Sequence, residues 1–253
     1  MAQVKFTSIL ITGASSGIGK ALALEYAAPG VHLALTGRNA ERLAEVADAA
    51  SAKGAHVLSE IVDVMDRVQM QAFIEKADAA APLGLVIANA GISGGGTIPD
   101  DEATRDIFAI NLAGVIDTVL PAANIMRAHG QGRIAIVSSV AGYRGLPSAP
   151  AYSASKVAVK AWGDAIRPSL GEDGVGLTMI HPGFVESRIT ETNDFKMPFL
   201  MAADKAAAII AKGLAKGKRE IAFPKRMVWP VRLLCMLPGP LFDAIMARAP
   251  KKK

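Results

Sequence analysis

Short apolar runs rich in β-branched residues alternate along most of this chain with longer stretches whose apolar residues recur every three or four positions. The runs at residues 4–11, 31–36, 55–61, 85–88, 133–137, 176–180 and 220–223 predict strands. The most continuously apolar of them fit strands covered on both faces, as in a parallel sheet. Helical periodicity fills the intervals: from the glycines near residue 17 through residue 28, then 40–52, 68–79, 101–129, 151–170 and 203–216. Such alternation predicts an α/β domain. Two connections, 91–97 and 138–150, are rich in Gly, Ser and Pro, and each follows a strand, on the edge where open α/β sheets bind ligands.

Length and composition narrow the class. At 253 residues, with 51% hydrophobic and 20% charged residues, the chain can bury one large core and is not disordered. The single cysteine, Cys235, has no internal disulfide partner. Neither it nor His32, His56, His129 and His181 shows metal-ligand spacing, so a reducing compartment and no metal are expected. Met1, Ala2 and Gln3 lead directly into the first strand pattern, which predicts no signal peptide and cytoplasmic residence. No internal repeat is visible, and the terminal Lys251, Lys252 and Lys253 form the one low-complexity run.

Candidate chemistry begins where the first strand runs into Thr12-Gly13-Ala14-Ser15-Ser16-Gly17-Ile18-Gly19 and then a helix. Strand, glycine turn and helix form the setting of a phosphate-binding loop: glycines permit a tight turn and close backbone approach, and the helix offers free N–H groups and the positive end of its dipole. Taken alone, such a turn is structural as readily as functional. Further along, Tyr152 and Lys156 stand four apart on a predicted helix, thirteen residues after Ser139. Their side chains then share a face, where the ammonium would stabilise the phenolate and bring a group of ordinary pKa about 10 towards neutral pH. By itself the pair also fits a half-buried Tyr beside a surface Lys.

Together these motifs carry a resemblance. Thr12-Gly13-x-x-x-Gly17-x-Gly19, Asp63, Asn89-Ala90-Gly91, Asn111, Ser139, Tyr152-x-x-x-Lys156 and Pro182-Gly183 stand in the order found in the short-chain dehydrogenase/reductase family, and the chain resembles that family over about residues 4–223. The resemblance implies a single doubly wound Rossmann-type domain, a central parallel sheet flanked by helices, and an oxidoreductase that transfers hydride between nicotinamide C4 and a carbonyl carbon. It implies a catalytic tetrad: Tyr152 as proton donor, Ser139 on the substrate oxygen, Lys156 on the nicotinamide ribose and the Tyr152 pKa, and Asn111 kinking its helix and seating a relay water. Ser138 lacks the family's spacing to Tyr152 and is expected to be structural.

For the cofactor, the resemblance assigns Gly13, Ser15, Ser16, Gly17, Ile18 and Gly19 to the pyrophosphate turn and Asp63-Val64 to the adenine. Asp63 could equally cap the helix starting near Asp66. Asn89, Ala90 and Gly91 are expected to steady the sheet and line the groove. Pro182, Gly183, Val185 and Ser187 are expected at the nicotinamide carboxamide, with Ser187 where Thr is usual. NAD-preferring members place a carboxylate at about Gly37, which is absent here; Arg38 follows and suits a 2′-phosphate, so NADP(H) is preferred over NAD(H). The other reading of Arg38 is a solvent-exposed loop residue. Family members commonly pair through the two long helices, here 101–129 and 151–170, so a homodimer or homotetramer is expected. An inactive nucleotide-binding scaffold would usually lack one of the four catalytic residues, and all four are present.

Beyond Phe223 the family pattern gives no guidance, and the chain is read as a catalytic domain, 1–223, with an apolar, basic extension, 224–253. Residues 216–253 carry ten Lys or Arg against Glu220 and Asp243, a net +8; the whole chain is +5, which leaves −3 for residues 1–215. The extension is too short and too interrupted by Pro230, Pro238 and Pro240 to span a bilayer. Apolar residues among cations suit an anionic membrane surface. Alternatively Trp229, Leu233, Leu234, Leu237, Leu241 and Phe242 cover the substrate cleft or meet a second subunit. No nucleic-acid motif is present. A lid is expected at 186–203, where Ile189, Phe195, Met197, Phe199, Leu200 and Met201 favour a hydrophobic carbonyl substrate. A similar hydrophobic tail recurs in bacterial family members linked to capsule or other surface-polysaccharide biosynthesis, which gives an alternative substrate class.

Overall fold

The computed structural model describes residues 6–94, 101–191 and 197–247. Seven parallel strands form one sheet in the order β3-β2-β1-β4-β5-β6-β7, with β1 Ser8–Thr12, β2 His32–Gly37, β3 His56–Ile61, β4 Leu85–Ala88, β5 Gly132–Val137, β6 Val175–Pro182 and β7 Glu220–Phe223. The chain winds outward from β1 to β3, returns to β4, and winds outward the other way. The reversal leaves a crevice between the carboxyl ends of β1 and β4, where ligands bind in such sheets.

Successive side chains of a strand face opposite sides, and the two cores follow from that. Ile9 and Ile11 join Leu33 and Leu35 beneath α1 Gly17–Tyr26, α2 Ala40–Ala52 and α8 Ala203–Ala215. Leu10 points the other way, with Val86, Ile134 and Ile136, into a core completed by α3 Arg67–Ala80, α5 Gly114–His129 and α6 Pro150–Glu172. Burial on both faces accounts for the unbroken apolar runs.

The structure departs from the sequence pattern in three places. Among the described residues the first ladder begins at Ser8; Phe6 is buried ahead of the strand without being in the ladder, and residues 4 and 5 of the expected strand lie outside the described residues. The predicted helix 101–129 is divided into α4 Asp101–Phe108, a π-helical turn Ala109–Ala113 and α5; such turns interrupt helices at functional sites, and this one carries Asn111. The extension folds into two helices, α9 Lys225–Cys235 and α10 Gly239–Met246. Of the prolines expected to interrupt it, Pro230 lies inside α9, while Pro238 is the N-cap of α10 and Pro240 lies in its first turn, where a missing N–H costs nothing. Between β6 and α8 the expected lid holds one short helix, α7 Arg188–Glu191, and Phe195 lies outside the described residues.

Candidate active site

The glycine turn at the end of β1 is built by close approach. A Cβ on Gly19 would lie 2.2 Å from the Gly13 carbonyl oxygen, and one on Gly17, where φ is +52°, would lie 2.8 Å from Ser187 Cβ. Only a chain without side chains there brings the start of α1 and the loop after β6 together. Thr12 ties this turn to the end of β4: its Oγ1 accepts from the backbone N–H groups of Asn89 and Ala90 at 3.0 and 3.1 Å, while Asn89 Nδ2 donates to the Thr12 carbonyl at 2.9 Å.

A cleft of about 500 Å³ runs along this edge. Ser15, Ser16, Gly17 and Ile18 line its middle, with Gly13, Asn89, Ala90 and Gly91. Arg38, Asn39, Arg42, Val62, Asp63 and Val64 line one end. Ser139, Tyr152, Lys156, Pro182, Gly183, Val185 and Ser187 line the other, with α7. Two of the sequence-predicted site residues stay behind the wall. Gly19 is packed under the turn, and Asn111 is fully buried behind Gly91.

At the first end, the Arg38 guanidinium is 3.7 Å from the Asp63 carboxylate and more than half exposed. Asp63 accepts from the Met65 N–H at 3.0 Å, and Asp66 supplies the cap of α3 by accepting from the Gln69 N–H, so Asp63 is not the helix cap. Arg42, which the sequence reading missed, reaches this end from the first turn of α2, and its Nε is buried with no hydrogen-bond partner. The available signal was its place four residues after Arg38, on a helix that starts at the end of β2. Ser16 stands at the N-cap of α1 without using its side chain as a cap, leaving the opening N–H groups without a side-chain acceptor. Free helix N–H groups in the middle and a buried, unpaired guanidinium nitrogen at one end fit the phosphates of a dinucleotide.

At the other end nearly every polar group already has a partner. Lys156 is buried, with its Nζ donating to the Val137 carbonyl at 3.0 Å and lying 5.8 Å from the Tyr152 ring centre. Burial lowers the Lys156 pKa to about 8. Burial raises that of Tyr152, against a hydrogen bond with Ser139 that lowers it. The direction is opposite to that expected from Lys156: desolvation of the phenolate is the largest cause, and the opposing one is Ser139. Ser139 Oγ also accepts from the Ala141 N–H at 3.1 Å, at the start of a 3-10 turn Val140–Gly142. Asn111 Oδ1 accepts from the Ile92 N–H at 2.8 Å, and its Nδ2 donates to the Ile92 carbonyl and to Ser155 Oγ at 2.9 and 3.1 Å. Gly91 separates Asn111 from Lys156; a Cβ there would lie 3.0 Å from Asn111 Oδ1 and 3.3 Å from Lys156 Nζ. Ser138 is buried and donates to the Lys156 carbonyl at 3.0 Å, a structural bond.

Of the expected lid residues, Ile189 lines the cleft, Met201 packs on the core, and Phe199 and Leu200 are exposed. None of the described residues of the extension lines the cleft itself, although Pro224 and Met227 pack closely on Gly183 in its wall. Phe242 is instead buried under the Arg144 guanidinium, 4.0 Å from its ring centre. Among the described residues no cluster of His, Cys, Asp or Glu could hold a metal ion.

Comparison with known proteins gives this architecture its class. The model of the short chain dehydrogenase family matches residues 7–197, and the chain belongs to that family, whose members are oxidoreductases. It is 39% identical to an oxidoreductase of Myxococcus xanthus over 253 residues, covering 98% of this chain and 99% of that one. A putative ketoacyl reductase of the granaticin polyketide synthase from Streptomyces violaceoruber is 35% identical over 72% of this chain and 69% of its own. Among solved structures, a short-chain dehydrogenase/reductase from Burkholderia phymatum in complex with NAD superposes with a TM-score of 0.84 at 26% identity, covering 100% of this chain and 99% of that one.

Proposed function

We propose that this protein is a cytoplasmic NADP(H)-dependent oxidoreductase that interconverts a hydrophobic carbonyl compound and its alcohol. The observation that carries this reading is the joining, in one cleft, of a phosphate-binding turn and the Ser139, Tyr152 and Lys156 side chains. When bound, the nicotinamide cofactor supplies the hydride, which no side chain can. Tyr152, a phenol protonated at neutral pH and made a weaker acid still by its burial, donates its proton to the carbonyl oxygen. Ser139 donates a hydrogen bond to the same oxygen as charge builds there. Lys156 presents a buried cation to the ribose hydroxyls, and Asn111 fixes the segment after Gly91 against α6.

Arg38 and Arg42 support the 2′-phosphate as the distinguishing group, since a guanidinium fork fits phosphate oxygens. Ile189 in the cleft wall supports an apolar substrate, and the name of the Streptomyces relative makes ketoacyl compounds a natural first panel. The lone, unbridged Cys235 supports a reducing compartment. Consumption of NADPH in the presence of a panel of hydrophobic ketones and ketoacyl thioesters tests the reading; a panel without turnover would refute it.

Two contacts go with it. Within the span Asp101–His129, after the charged first helix, lies an apolar stretch that is half buried, which supports a homodimer or homotetramer through its outer face and α6. On α9 and its C-cap, Trp229, Leu233 and Met236 follow one another at helical spacing on the exposed side beside Lys225 and Arg226, which supports peripheral contact with anionic membrane. Co-sedimentation with anionic vesicles at low salt that is lost at high salt is the expected result; no co-sedimentation at low salt removes that contact.

A further inference from the structure

The segment that carries Ser139 is fastened, residue after residue, to the C-terminal helices. Tyr143, at the end of the 3-10 turn that Ser139 opens, donates its phenol proton to Glu220 Oε1 at 2.8 Å and accepts from Arg232 at 3.0 Å. Arg232, on α9, is itself paired with Glu220 and lies 5.0 Å from the Tyr143 ring centre. His181 is fully buried and also packs against Tyr143, with ring centres 4.8 Å apart. Its Nδ1 lies 3.2 Å from the Ser139 carbonyl oxygen and its Nε2 lies 3.5 Å from Glu220. The next residue, Arg144, donates to the carbonyls of Cys235 and Leu237 at 3.1 and 2.7 Å, in the turn between α9 and α10.

We infer that the extension is a positioning element for the reaction: Arg232, through Glu220, Tyr143 and His181, sets the place of Ser139 opposite Tyr152. The inference rests on the reading of Ser139 as a catalytic residue and adds to it residues that touch neither substrate nor cofactor. The physical reason lies in the neighbourhood of Ser139. Its hydroxyl is fixed by the Ala141 N–H, so the turn 139–142 moves as a unit, and the polar side chains that follow it are held from α9, from the turn beyond α9, or from Glu220. Removing the Arg232 guanidinium leaves Glu220 with Tyr143 and His181 as its remaining partners and frees the turn to shift. A displacement of about 1 Å at a reacting group can cost on the order of 10²-fold in rate.

The experiment compares wild type with Arg232→Ala and Arg232→Lys at a temperature well below the melting transition of each. Hydrogen–deuterium exchange should rise across 139–144 in Arg232→Ala and stay unchanged across the glycine turn 13–19. Turnover number for reduction should fall about tenfold or more with KM and NADPH affinity held, and Arg232→Lys should recover part of it. Tyr143→Phe, which keeps the ring and removes the hydroxyl, is the second variant and should loosen the same segment. Unchanged exchange at 139–144 in these variants, or an unchanged turnover number with only a lower melting temperature, would overturn the inference. The exchange measurement needs no substrate, so a wild type without carbonyl turnover would count against the proposed reaction while the loosening of 139–144 is still read.

Discussion

The two ends of the cleft are built on opposite principles. From the middle of the cleft to the Arg38 end, groups suited to an anion are left open: the opening N–H groups of α1 have no side-chain cap, and Arg42 Nε is buried and unbonded, although Arg38 itself lies 3.7 Å from Asp63. At the Tyr152 end Lys156, Asn111 and Ser139 are all bonded within the protein. Leaving a buried polar group unsatisfied costs roughly 1–3 kcal/mol, so the first end is stabilised by an arriving anion. The second end is set before anything binds, which suits groups whose work is orientation. Affinity and chemistry are therefore separable along the cleft, and substitutions should divide by end.

The largest effect is expected at the reacting end. Tyr152→Phe removes the transferable proton and keeps the ring, and its turnover should fall at least about 10²-fold, with NADPH affinity nearly intact. Steady-state rates and a fluorescence titration of NADPH check both halves; a variant that keeps more than about a tenth of the wild-type rate sinks the assignment of the acid.

At the opposite end the pattern should invert. Arg38→Ala and Arg42→Ala should each weaken NADPH binding by about 1.5–3 kcal/mol, the worth of a hydrogen bond to a charged group. NADH binding and the rate at saturating cofactor should be left alone. Equal weakening of both cofactors in calorimetric titrations would place these arginines outside a 2′-phosphate site.

A smaller effect concerns pH. Lys156 titrates at about 8, and Tyr152, pushed up by burial, keeps its proton beyond that. The kcat/KM of reduction, which reports the free enzyme, should fall as pH rises through about 8 because the cation is lost while the acid remains. A profile flat to pH 10 would contradict this.

The smallest effect is on stability. Burial lowers the His181 pKa, although Glu220 and the Ser139 carbonyl raise it, as does Asp164, while Lys160 lowers it. The unfolded chain then binds more protons than the folded one just below the ordinary histidine value of about 6.5, so stability drops as pH falls through that window. His181→Gln should flatten the dependence in melting curves between about pH 5 and 7.

Much of this was legible before the structure. The strands were visible because each is buried on both faces, and the motif residues lie where strands end, at positions that sequence order alone assigns to one sheet edge. Arg42 was missed because nothing in its local pattern separates it from an ordinary charge on an amphipathic helix; its significance lies in a buried Nε. The helices of the extension were missed because prolines read as breaks also serve as helix starts, as at Pro238 and Pro240, or stand inside a helix, as Pro230 does. The raised Tyr152 pKa was missed because helical spacing gives the neighbour of a group and not its desolvation. The fastening of Tyr143, Glu220 and Arg232 joins residues 12 to 89 positions apart, beyond any periodicity.

The central claim is that one cleft brings hydride and proton to a carbonyl. Its most direct test is reduction of a hydrophobic ketone with NADPH carrying deuterium at both hydrogen positions of nicotinamide C4, analysed by mass spectrometry of the product. The account predicts an alcohol carrying deuterium on the former carbonyl carbon with wild type and almost none with Tyr152→Phe. Absence of deuterated alcohol with every ketone tried, or its formation at the wild-type rate by Tyr152→Phe, would contradict it.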